Sequence, residues 1–191
     1  EGKPKLVSIV VLAGGSERRA LMLAAALEQP SEHPLAAAIL RAARERKLDI
    51  PGVETFLAVP GQGIQGAVNG TRVVLGNPAM MRDSQIAVDR AAGKAEELRR
   101  EGQTVMYLAA DGVLTALLGV ADPIKESAPE AIAALHAEGL RIVMLTGDNP
   151  TTADAVARRL GLDEVRAEVL PAEKRAVVQR LQREGRVVAM A

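Results

Sequence analysis

Cysteine and tryptophan are absent from the 191 residues, and the other aromatics are nearly so: Phe56 and Tyr107 stand alone, with His33 and His136 the two histidines. Without cysteine there is no disulfide and no thiolate metal site, and the compartment is left open. So few aromatics argue against a base-stacking nucleic-acid surface, and the core has to be built from Ala, Val, Leu and Ile. Neither sign of charge is in excess: 24 Lys and Arg balance 24 Asp and Glu. Nothing therefore marks a nucleic-acid or membrane-surface partner. No apolar run approaches the roughly 18 residues that a spanning helix needs; "ALMLAAAL" has the length of a buried helix face. The chain opens "EGKPKLVSIVVL" without Met or a signal-type segment and closes on "RVVAM", which reads as a buried strand. The expectation from these ends is a piece of a longer protein.

What is present divides into two patterns. Up to about Val120 the sequence reads as α+β, an antiparallel sheet with helices packed on it. "KLVSIVVL" is a β-rich run ending at Gly14-Gly15, Ser16 caps a helix that stops at Pro30, and a second helix starts at Pro34 and runs to about Lys47. "VETFLAV" alternates as a strand. Asn69-Gly70 and Asp111-Gly112 each join two strand-like arms, the dipeptides that type I′ hairpin turns demand. Helical patterns lie around Pro78–Met81 and in "VDRAAGKAEELRREG". Beyond "ADPIKES" helices alternate strictly with the apolar strands "RIVML", "EVRAE" and "RVVAM", which predicts a parallel sheet of doubly wound type. The boundary is placed near Val120–Pro123, giving domains 1–120 and 121–191.

The sharpest chemical signal is "VMLTGDNPTTADAV". A strand delivers Thr146, Gly147 and Asp148 to its carboxyl end, where doubly wound folds place ligands. A helix capped by Asp148 or Asn149 and started by Pro150 offers free N–H groups to an anion. A capped turn without a ligand reads equally well. Lys174, in the first turn of the helix begun by Pro171, opposes the helix dipole unless an anion compensates it; a solvated lysine is the plainer reading. "VPGQGIQG" holds Gly61, Gly63 and Gly66 as GxGxxG, but a hairpin follows where a dinucleotide fold needs a helix, so that reading fails. What survives is bare backbone open to a flat ligand, or plain turn chemistry. His33 precedes Pro34, so it belongs at a helix cap, where the positive helix end favours a neutral ring. A capped, partly buried imidazole is the plain reading there; solvated surface positions are expected for His136, Glu28, Glu32 and Asp49.

In order, "SEHPLAAAI", "PGQGIQG", "LGN", "DPIK", "MLTGDN" and "LPAEK" resemble the heavy-metal-transporting branch of the P-type ATPases over essentially the whole chain. The resemblance implies an α/β architecture in which an α+β nucleotide-binding domain is inserted in an incomplete haloacid-dehalogenase-like domain. Position by position it implies that Glu28 and His33 contact adenine, that Gly61 and Gly63 let the purine lie against backbone, and that Gly76 and Asn77 line the same pocket. It implies further that Thr146, Gly147 and Asp148 hold the transferred phosphoryl, that Lys174 neutralises it, and that Asp122 meets the nucleotide at a hinge. The implied cofactors are ATP and Mg²⁺, the main Mg²⁺ ligands lying outside this chain, and no metal ligands are expected within it. The family's "DKTGT" and "GDGxND" motifs are not in the sequence, so the chain alone is expected to bind nucleotide without forming an aspartyl-phosphate. The implied parent is an integral membrane cation translocase, with this part at the cytoplasmic face. The implied partners are the parent's actuator, membrane and metal-binding domains, with no nucleic acid. Glu32 before His33 leans the cargo toward copper(I). The alternatives are a zinc or cadmium transporter, or a soluble phosphatase of the same superfamily with residues 1–120 as a cap; the latter needs an Asp-x-Asp that "LVSIVVLAGG" lacks.

Overall fold

The computed structural model describes residues 4–12, 15–31, 33–122, 124–125 and 127–190. Two compact units are present: residues 1–99 with 103–124, and residues 100–102 with 125–191.

The first unit is built on a six-stranded antiparallel sheet. Its strands are β1 (Lys5–Val11), β2 (Thr55–Val59), β3 (Gly63–Val68), β4 (Thr71–Gly76), β5 (Thr104–Ala110) and β6 (Val113–Ala121), in the order β1-β6-β5-β4-β3-β2. Both dipeptide turns form as their sequence demands. Asn69 and Gly70 have φ of 50° and 74°, and Asp111 and Gly112 have 48° and 78°, the double positive φ of type I′.

Alternation along the strands then assigns the faces. Val73, Leu75, Leu108, Ala116 and Leu118 pack with α1 (Glu17–Glu28) and α2 (Pro34–Glu45). Val74, Tyr107, Ala109 and Leu117 pack on the other side with α3 (Pro78–Asp83) and α4 (Asp89–Arg100). The helix starts follow from capping. Ser16 accepts from Arg19 N–H at 3.2 Å, and prolines 34 and 78 occupy first turns, where their missing N–H costs nothing. Alanines 24, 25 and 26 are fully buried in α1, so the helix backbone approaches the sheet closely.

In the second unit, β7 (Val143–Leu145) and β8 (Glu164–Arg166) pair in parallel, α6 (Pro150–Leu160) packs on β8, and α5 (Ala128–Ala137) and α7 (Pro171–Arg183) complete the described elements. The expected third strand, "RVVAM", is not formed: residues 186–190 belong to no ladder, and Val187 and Met190 are exposed. A strand is stabilised by a neighbour that pairs its N–H and C=O groups, and among the described residues this sheet has two members. For the same reason α5 buries none of its residues, and Leu135 and Leu140 stay exposed.

Candidate functional site

In the first unit the candidate residues fall into two groups. One is the turn from α1 to α2. Glu28 ends α1 and is 4% exposed. Sequence physics read it as a surface charge; the alanine-rich packing of α1 draws its last turn into the core instead. Its Oε2 has no hydrogen-bond partner. Burial pushes the Glu28 carboxyl above the ordinary glutamate range, and the hydroxyl of Ser31 pulls it part of the way back.

His33 is the N-cap of α2, with φ −68° and ψ 140°. Its Nδ1 accepts from Leu35 N–H at 3.2 Å. That bond fixes the tautomer: Nδ1 carries no proton, and Nε2–H is the ring's remaining donor. The ring is exposed rather than partly buried, because Pro34 holds it outside the helix. Glu32, on which the lean toward copper rests, lies outside the described residues.

The second group gathers around the β3–β4 hairpin. Gly63 and Gly76 are register partners, and each is glycine for a steric reason within the protein. A Cβ on Gly63 would lie 2.3 Å from Leu75 O, and one on Gly76 would lie 2.5 Å from Gln62 O. Gly61 differs: its φ is 73°, and nothing stands within 4 Å of its would-be Cβ, so here bare backbone faces open space. Asn77 is occupied on all sides. Its N–H donates to Gln62 O at 2.9 Å, its Nδ2 to Gly61 O at 2.9 Å, and its Oδ1 accepts from Met80 N–H at 3.0 Å. One side chain thus caps α3 and clasps the glycine loop. Gln62 Nε2 ties the same loop to Asp83 Oδ2 at 3.1 Å. α1 packs on β3, its Leu27 Cδ2 standing 3.0 Å from where a Gly66 Cβ would be.

In the second unit β7 leads into Thr146, Gly147 and Asp148. The Thr146 hydroxyl donates to Asp148 Oδ2 at 2.8 Å and accepts from Asp148 N–H at 3.1 Å. Asn149, not Asp148, caps α6, its Oδ1 accepting from Thr152 N–H at 3.1 Å. The segment before α7 is stitched to this loop by Glu168 N–H to Asp148 O and Val169 N–H to Thr146 O, both 2.9 Å. Residues 168–169, just before α7, are thereby tied to the threonine loop, and Lys174 in the first turn of α7 is half-buried. Gly147 is exposed with space around it. Asp122 directly follows β6 and is exposed; Pro123 lies outside the described residues.

Two features escaped the sequence reading. His136 is not free in solvent: its Nε2 lies 2.9 Å from Asp163 Oδ2, which also accepts from Ile142 N–H at 2.7 Å. The Ile142 amide first and the imidazole second hold Asp163 below the ordinary aspartate range. The clasp of Asn77 is signalled by its place before Pro78, an N-cap pattern.

A site for adenine fits these residues, with an orphaned buried carboxyl oxygen, a ring donor and bare backbone at Gly61. Among the described residues no three His, Asp or Glu side chains converge to hold a metal.

The family profile of the haloacid dehalogenase-like hydrolases matches residues 1–191. A silver-exporting P-type ATPase of Salmonella typhimurium is 48% identical over the whole chain, and a copper-transporting P-type ATPase of Rhizobium leguminosarum bv. viciae is 50% identical over the same span. The chain covers 23% of the length of each, so it spans about a quarter of these relatives. Among solved structures, a zinc-transporting PIB-type ATPase superposes with a TM-score of 0.69 at 40% identity, over 95% of this chain and 29% of that one. The N-domain of HMA6, a copper-transporting P-type ATPase, gives 0.53 at 30% identity, over 62% of this chain and 98% of that one. The chain belongs to the haloacid dehalogenase-like hydrolases, and within them to the branch of the heavy-metal P-type ATPases.

Proposed function

We propose that the first unit binds an adenine nucleotide through its base, and that the second receives the phosphoryl group during ATP-driven export of copper(I) by the longer protein. The observation that carries the first half is the Glu28 carboxyl, buried with one oxygen unpartnered beside the capped His33. A polar atom kept out of water without a partner is costly, and an amino group on a bound purine satisfies it. His33 offers Nε2–H and a ring face, and Gly61 offers backbone that a flat base can approach.

For the second half, phosphoryl transfer needs positioning and charge neutralisation more than covalent chemistry. Thr146 offers a hydroxyl, Gly147 an uncrowded backbone and Lys174 a cation. In the structure the threonine hydroxyl is engaged by Asp148, so engaging a phosphoryl oxygen requires that bond to open. ATP would supply the transferred group; the residues here would hold and neutralise it, and Mg²⁺ would be held elsewhere. The chain on its own would bind nucleotide without phosphorylating itself. Copper(I) is favoured as cargo by the names of the relatives, and the zinc-transporting neighbour at 40% identity keeps a divalent cargo as the second reading.

Calorimetric titration of the chain with ATP tests the nucleotide half. Because the base rather than the phosphates is held, affinity with EDTA should stay within about threefold of that with Mg²⁺, and His33→Gln should weaken it about tenfold. Absence of ATP binding at millimolar concentration contradicts the reading.

A further inference from the structure

We infer that Asp83, at the end of α3, is a positioning residue for nucleotide binding: acting through Gln62, it holds the turn that presents Gly61 to the base. This deepens the adenine-nucleotide reading and rests on it.

The turn is closed by Gln62 N–H donating to Val59 O at 3.0 Å. Pro60 and Gly61, the latter with φ of 73°, fill its two central positions, the pair that a type II turn favours. Two side chains of the α3 segment reach back to it. Asn77, the N-cap, donates from Nδ2 to Gly61 O at 2.9 Å. Asp83, the last residue of α3, accepts at Oδ2 from Gln62 Nε2 at 3.1 Å, across 21 positions of sequence. An ionised carboxylate accepts and does not donate, so Asp83 decides which way round the Gln62 amide sits. The NH₂ group is turned to Asp83, and Oε1 is left buried without a partner. A buried acceptor without a donor is costly. Without the Asp83 contact the side chain can turn Oε1 to water, and the turn keeps one side-chain tether where it had two.

Neither helix stability nor the charge of the ligand favours an acid at this position. The last residue of a helix meets the negative end of the dipole, where a carboxylate is unfavourable, and Asp83 is exposed. A negative charge on the unit that binds a polyphosphate also repels it. What the carboxylate supplies is the contact to Gln62. The two effects it opposes give the role a sign: removing the charge should leave the fold as stable or more so, yet weaken the nucleotide.

The experiment uses the 191-residue chain with Asp83→Asn, Asp83→Glu and Gln62→Ala, titrated calorimetrically with ATP at fixed ionic strength. Asp83→Asn should weaken ATP about fivefold, the size of one ordinary hydrogen bond. Its thermal midpoint should stay level or rise, and its amides at residues 61–63 should exchange faster. Asp83→Glu, which keeps the carboxylate, should recover most of the affinity. In the Gln62→Ala background Asp83→Asn should change ATP affinity by less than about twofold, because the contact it removes is already gone. Repulsion alone predicts tighter ATP in Asp83→Asn; that result, or an unchanged affinity, overturns the positioning role. A loss of the same size in the Gln62→Ala background overturns the route through Gln62. A lowered thermal midpoint with unchanged exchange at 61–63 marks a structural residue and overturns the role as well. Each of these leaves the adenine reading standing, whereas a wild-type chain that binds no ATP overturns that reading and this role together.

Discussion

A carboxyl at the last residue of a helix meets the negative end of the dipole, and Glu28 meets it while buried. Both effects disfavour its charge, so the protein carries Glu28 at a cost in stability. Because its pKa in the folded chain is raised, the stabilisation linked to its proton is complete below the unfolded value of about 4.5 and is lost as pH rises through the folded value. Glu28→Gln should therefore stabilise the chain by about 1–2 kcal/mol at pH 7, with the gap closing toward pH 4, and should weaken ATP. Urea midpoints at pH 4, 5.5 and 7 check the sign; a variant less stable at pH 7 contradicts it. The glycines give a second contrast. Gly63→Ala drives a Cβ into the Leu75 carbonyl and should cost about 3 kcal/mol or unfold the hairpin. Gly61→Ala meets open space at positive φ. It should cost about 1 kcal/mol while weakening ATP, read by thermal melts and titration side by side.

At the scale of elements, most of the first unit was legible. The Asn69-Gly70 and Asp111-Gly112 turns dictate positive φ, and Ser16, Pro34 and Pro78 mark helix starts by physics that is local in sequence. What was not legible is what depends on neighbours. The burial of Glu28 follows from how closely an alanine-rich helix can approach a sheet, and the failure of "RVVAM" to pair follows from the two-membered ladder of β7 and β8. His136 looked solvated because its partner, Asp163, lies 27 residues away. Asn77 also ties the glycine loop to α3, a contact that its N-cap position before Pro78 only half announces. Asn77→Ala should remove a helix cap and a loop tie together and cost about 1–2 kcal/mol. It should also raise amide exchange across residues 60–63; protection unchanged there would refute the clasp.

At the scale of the whole molecule the two units are unequal. Both clusters of fully buried side chains, including Tyr107, belong to the first unit, while in the second only Thr152, Ala153, Ala157 and Val169 are buried among the described residues. Apolar burial is the main favourable term in folding, so the second unit should open first. Hydrogen exchange should show amides of 125–190 losing protection at lower urea than those of the sheet; a single transition shared by all amides contradicts this. The central claim is that the first unit holds adenine at His33. With two histidines in the chain, one is probe and the other control. A ¹H–¹⁵N spectrum of the imidazoles, recorded as ATP is titrated in the absence of divalent ions, should shift the His33 ring signals to saturation while those of His136 stay put. A His33 ring unmoved at saturating ATP contradicts the account.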